Sequence, residues 1–121
     1  MHRNISTSLC GNGTVYKIAT LELYHSTVIK IFNTVNTGNA AGEVTVFVGR
    51  GSNIEKSKIA STIVYHKGET NIYKLFYDTN SFYIQVFYES AGHEIFVVSE
   101  AKPELVSISV DTLTEYVIPT T

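Results

Sequence analysis

Residues 82–88 read Phe-Tyr-Ile-Gln-Val-Phe-Tyr, residues 89–93 read Glu-Ser-Ala-Gly-His, and residues 94–99 read Glu-Ile-Phe-Val-Val-Ser. Side chains alternate along an extended chain, so Phe82, Ile84, Val86 and Tyr88 share one face while Tyr83, Gln85 and Phe87 share the other. Ile95 and Val97 oppose Phe96 and Val98 in the same way. The five residues between the two runs include Gly92, and the pair is expected to form a hairpin. Both faces are largely apolar, which a strand pair wetted on one side does not require. The pair therefore belongs inside a sandwich or against a second copy of the chain.

The same composition runs outward in both directions. Thr14 to Leu23, Thr27 to Asn33, Glu43 to Arg50, Lys58 to His66 and Asn71 to Tyr77 all read as extended segments rich in β-branched and aromatic residues. Turn formers separate them: Tyr24-His25-Ser26, the loop 34–42, Gly51-Ser52-Asn53, the turn 67–70, and Asp78-Thr79-Asn80-Ser81. Ile54 to Lys58 has room for a short helical turn. Beyond the Pro103 loop, residues 105–112 alternate, with Val106, Ile108 and Val110 inward and Ser107, Ser109 and Asp111 outward. A last short strand covers 115–118. No repeat is visible.

This pattern predicts an all-β protein of eight or nine strands in an antiparallel two-sheet β-sandwich. A jelly-roll winding is expected ahead of an immunoglobulin-like one, because the chain has one cysteine and no tryptophan. The polar stretch 1–13 is expected as an N-terminal arm or linker, and 14–121 as the sandwich domain. At 121 residues and 44% hydrophobic content, one core is the natural solution.

Charge and cysteine content exclude several functions. Nine Lys and Arg against eleven Asp and Glu, without clustering, offer no phosphate-neutralising patch, so no nucleic-acid partner is expected. Cys10 alone cannot form an internal disulfide or a thiolate metal cage, and it reads as an idle thiol. No apolar run is long enough to span a bilayer, and residues 1–10 lack the apolar core of a signal peptide. No membrane insertion is expected, and synthesis belongs in a cytoplasm. His2, His25, His66 and His93 lack metal-ligand spacing, so no metal or cofactor is expected. Glu89 and Glu94 bracket the turn of the expected hairpin as a glycosidase pair would, but a solvated turn explains them as well. Gly49-Arg50-Gly51-Ser52 resembles the start of a phosphate loop without the third glycine or the helix that such a loop needs. No catalytic residue is assigned, and the chain is expected not to be an enzyme.

The eight tyrosines carry more information. Tyr73, Leu75 and Tyr77 share one strand face, and Ile72 and Phe76 take the other. A small sandwich buries one face per sheet, so the excess apolar face predicts a homo-oligomer interface.

Val15-Tyr16-Lys17-Ile18-Ala19-Thr20-Leu21, followed by Val28-Ile29-Lys30-Ile31 and by Gly42-Glu43-Val44-Thr45-Val46-Phe47-Val48, resembles the terminal domain of bacteriophage tail fibres, tailspikes and related appendages. Residues 71–77, 82–87 and 94–98 extend the likeness over most of the chain from Thr14 onward. The resemblance implies a jelly roll of the tumour-necrosis-factor type (TNF-like), a homotrimer on the virion, and attachment to a host-surface glycan or other receptor, or trimerisation of the fibre. The rest of the appendage is then a further partner. It carries over no site residue by residue. If successive strands reverse, the breaks at 24–26, 51–56, 78–81 and 100–104 gather at the end of the sandwich opposite the chain's arrival at Thr14. Tyr24, His25, Arg50, Ser52, Asn53, Asp78 and Asn80 are accordingly expected to contribute to receptor contact, offering flat rings and short polar groups to sugars. A monomeric accessory carbohydrate-binding module of a cell-wall or polysaccharide-acting enzyme is the alternative.

Overall fold

Runs in which apolar side chains alternate cannot bury one face alone, so they assemble into sheets that share a core. The computed structural model describes residues 4–35, 41–67, 72–88 and 93–119. Ten strands are present among them: β1 (Ile5–Leu9), β2 (Gly11–Thr20), β3 (Ser26–Val35), β4 (Ala41–Gly49), β5 (Ile59–Lys67), β6 (Tyr73–Tyr77), β7 (Ser81–Tyr88), β8 (His93–Ser99), β9 (Glu104–Val106) and β10 (Thr114–Tyr116). Two antiparallel five-stranded sheets result, in the orders β1-β8-β3-β4-β5 and β10-β6-β7-β2-β9. The all-β, two-sheet β-sandwich expected from the sequence is the observed architecture. Short 3₁₀ turns at Lys56–Lys58 and Val110–Thr112 are the only helical pieces among the described residues.

Side chains from both inner faces meet in one core. Ile29, Ile31 and Val46 and Val97 of the first sheet, and Phe82, Ile84 and Val86 of the second, are completely buried there. β8 lies between β1 and β3 in the first sheet, and β7 lies between β2 and β6 in the second. β4 and β5 then continue from β3 as a meander within the first sheet, and β6 pairs β7 within the second. A regular jelly roll would send strands across the sandwich at those points.

Three expectations change. The hairpin expected over 82–99 does not form: β7 pairs with β2 and β6 in one sheet, and β8 with β1 and β3 in the other. Two strands apolar on both faces satisfy a sandwich-crossing connection as well as a hairpin, and the longer pairings with β2 and β3 decide the matter. The polar segment 1–13 is not merely an arm. Ile5–Leu9 adds to the edge of the first sheet with Leu9 buried, and β2 begins at Gly11. Gly13, with φ +84°, sits at a bulge where β2 shifts register between Asn12 and Thr14, a conformation that glycine adopts without strain. Finally, residues 105–112 are strand only to Val106. Of the expected loops, 36–40 and 68–70 lie outside the described residues, as do 89–92 of the connection between β7 and β8.

The alternation over 106–110 nevertheless has a use. Val106, Ile108, Val110 and Leu113 pack on Val15, Phe76 and Tyr83, which form a second apolar cluster on the outer face of the second sheet. The face that the sequence assigns to a subunit interface is thus covered, in this part, by the chain's own C-terminal segment. Lys17 Nζ and Glu104 Oε2, 3.2 Å apart across the β2–β9 pair, flank that cover. Among the described residues no segment lies over the outer face of the first sheet as 106–113 lies over the second: the half-buried Phe32 and Phe96 stack with centroids 4.8 Å apart, and Val28 and Phe47 are exposed.

Candidate functional site

The turns after β2, β4 and β6 do gather at one end of the sandwich, held by backbone bonds rather than by proximity alone. Arg50 N donates to His25 O at 2.8 Å, and Leu21 N donates to Asn80 O at 3.0 Å. Arg50 Nη1 also donates to Leu21 O at 2.6 Å, which ties the β4 exit to the β2 exit. Three connections from two sheets therefore form one braced platform. All seven residues expected at a receptor-contact end lie on these three connections.

Their side chains differ in availability. Tyr24 is 81% exposed and adopts φ +62°, the only non-glycine residue with positive φ among those described. A tyrosine held in the left-handed region costs free energy that its exposed ring does nothing to offset, and such strain clusters at functional positions. His25, Ser52, Asn53 and Asn80 are exposed, and His25 Nδ1 lies 3.6 Å from Glu22 Oε2. Arg50 and Asp78 are engaged internally. Besides the Leu21 bond, the Arg50 guanidinium has a buried Nε without a partner. Asp78 Oδ1 accepts from Asn80 N at 2.9 Å and Ser81 N at 2.8 Å, while Oδ2 accepts from Tyr83 OH at 2.9 Å. Both are bracing residues of the platform. Its open chemistry belongs to Tyr24, His25, Ser52, Asn53 and Asn80.

Asp78→Ala removes three hydrogen bonds made to a carboxylate, one of them from Tyr83. Bonds to charged acceptors contribute more than neutral ones, and the variant is expected to lose about 2 kcal/mol. A urea melt with an unchanged m-value and a lowered midpoint would report it.

Among the described residues, the other motifs singled out in the sequence assemble nothing. Glu94 is exposed opposite Thr34 on the outer face of the first sheet, and Glu89 lies outside the described residues. Gly49 to Ser52 leaves β4 as a turn with no helix at its end. Cys10 is exposed between β1 and β2, where its backbone carbonyl accepts from Tyr16 OH at 2.9 Å. Among the described residues, no three of His, Cys, Asp and Glu converge as metal ligands would, and no helix is long and apolar enough to cross a membrane.

A cavity of about 340 Å³, which nothing in the sequence indicated, opens at the other side of the molecule, between the edge strands β5 and β10. Val44 and Ile63 of the first sheet face Tyr73, Leu75 and Tyr116 of the second across it, with Ile118 beyond β10. Ser61 Oγ and Tyr116 OH, 2.9 Å apart, join the two edge strands. Asn33, only 2% exposed, lines the cavity, and its Nδ2 has no hydrogen-bond partner. These residues come from separate strands, so only sheet pairing brings them together. The one local signal is an asparagine directly after the run 28–32, at the inward parity of Ile29 and Ile31.

No family model, curated protein or solved structure matches this chain.

Proposed function

We propose that this chain is a non-enzymatic attachment domain of a phage virion appendage, a tail fibre or tailspike, that associates as a homotrimer and holds a host-surface glycan at its braced loop end. Tyr24 supports this reading most directly. Its ring stands in water on a strained turn, the arrangement that a pyranose face needs for stacking, and the exposed amides of Asn53 and Asn80 and the hydroxyl of Ser52 offer donors and acceptors for sugar hydroxyls. The exposed Val28 and Phe47, beside the half-buried Phe32–Phe96 stack on the first sheet, support self-association.

Replacing Tyr24 and Asn53 together by alanine is expected to weaken binding to host cells, or to an array of their surface glycans, by about tenfold or more, the effect typical of an aromatic anchor and its polar neighbour. The fold does not depend on either side chain, so an unchanged melting curve accompanies the loss. Full binding by the double variant would overturn the assignment of the loop end.

The cover that residues 106–113 place on Val15, Phe76 and Tyr83 favours a second reading, a monomeric accessory carbohydrate-binding module. Light scattering over a dilution series separates the two. The trimer reading expects three times 13.4 kDa, falling to 13.4 kDa in a variant with both Val28 and Phe47 replaced by lysine. A wild-type mass of 13.4 kDa at every concentration supports the module instead.

A further inference from the structure

We propose that the cavity between β5 and β10 is a binding site for a small organic molecule with an apolar body and a hydrogen-bond-accepting carbonyl oxygen, which Asn33 recognises. It lies apart from the braced loop end and does not depend on a glycan being held there.

The lining selects the body of the ligand. Val44, Ile63, Leu75 and Ile118 contribute hydrocarbon, and Tyr73 and Tyr116 contribute aromatic rings. Of the polar groups nearby, Tyr116 OH is bonded to Ser61 Oγ, and His66, Lys74 and Glu115 also line the space. Burial pushes the Tyr73 hydroxyl ionisation well above its usual range, in keeping with a poorly hydrated surrounding. Water lying against the hydrocarbon part of this lining finds fewer polar partners than the two to four that hold it well. A hydrocarbon body gains by replacing it. At about 340 Å³ the space is within the range of small-molecule pockets.

Asn33 selects the functional group. A buried amide N–H without a partner costs free energy that a neutral apolar residue would not, and each such group in a folded protein calls for a reason. The amide oxygen lies close against Gly42, its cross-strand neighbour: a Cβ added there would be 2.6 Å from Asn33 Oδ1. Glycine at 42 leaves space for the amide oxygen, and the amide nitrogen remains as the free donor. A ligand carbonyl supplies the missing acceptor.

Acetophenone and ethylbenzene, which share a ring and differ in the carbonyl, test this directly. Each is titrated into the ¹⁵N-labelled full chain by NMR. Wild type is expected to bind acetophenone about tenfold more tightly than ethylbenzene, although ethylbenzene is the more hydrophobic. The side-chain amide signals of Asn33 are expected to shift with acetophenone only. Asn33→Leu is expected to abolish the preference while keeping ethylbenzene affinity, and Ile63→Phe, which fills the space, to weaken both. If Asn33→Leu does not fold, the wild-type preference and the Asn33 amide shift decide alone. Equal wild-type affinities, a preference retained in Asn33→Leu, or no binding of either probe would overturn the proposal. So would cavity signals that respond to protein dilution and not to the probes, since a second copy would then occupy the site.

Discussion

Replacing Phe82 by alanine is expected to cost about 3–5 kcal/mol, the largest effect of any single side-chain truncation in this chain. Phe82 is the largest of the completely buried side chains and lies in the centre of the second sheet, where β7 pairs with both β2 and β6. Its ring packs into the core shared with the first sheet, and the sheets on either side restrict any collapse into the space left behind. Domains of this size have only about 5–15 kcal/mol of total stability, so the variant loses a large part of it. The melting temperature is expected to fall by roughly 10–25 °C. Calorimetry checks this directly. A fall of only a few degrees would mean that the core repacks around the vacancy. Phe87, on the opposite face of the same strand and half-buried, provides the contrast. Phe87→Ala is expected to cost less than half as much, although sequence alternation alone cannot rank the two.

Alkaline pH is expected to unfold the protein through its buried tyrosines. Burial raises the ionisation of Tyr73 furthest, and it also raises that of Tyr83, aided by the hydroxyl's bond to Asp78, and that of Tyr16. In the unfolded chain these phenols ionise near pH 10. Below that pH both states hold the protons, and the stability is fully present. As pH rises above about 10, the unfolded state releases protons that the folded state keeps, so stability declines with each further step. Tyr73→Phe keeps the ring in place and removes the largest of these contributions. Its unfolding midpoint is expected to move to higher pH than that of the wild type. Phenolate absorbance and far-ultraviolet circular dichroism, followed together from pH 9 to 12.5, check this. An unfolding midpoint that is the same in wild type and Tyr73→Phe would contradict it.

The loop end was partly legible in the sequence, because antiparallel reversal puts alternate connections at opposite ends whatever the strand order. That geometry needs only the number of strands between two turns. What each side chain does there was not legible. Arg50 and Asp78 read as exposed polar turn residues, yet Arg50 reaches Leu21 O, far along the chain, and Asp78 is consumed by Asn80, Ser81 and Tyr83. The Asp78 turn had a local signal in Asp-x-Asn-Ser, since aspartate commonly bonds the backbone two residues on. The Arg50 bond had none.

By itself the sequence determined the all-β class, most strand positions and the inward set of each central strand, because alternation with a period of two is a local property that burial of one face enforces. It also determined that Val106, Ile108 and Val110 share a side. The tertiary structure alone decided which sheet each strand joined. Residues 82–88 and 94–99 are apolar on both faces, so a hairpin and a crossing of the sandwich satisfy them equally in isolation. The free energy that separates the two comes from pairing with β2 and β3, distant in the chain and invisible to local pattern. The same long-range pairing placed the C-terminal segment over Val15, Phe76 and Tyr83 and set Asn33 facing Tyr73 and Tyr116 across an open edge.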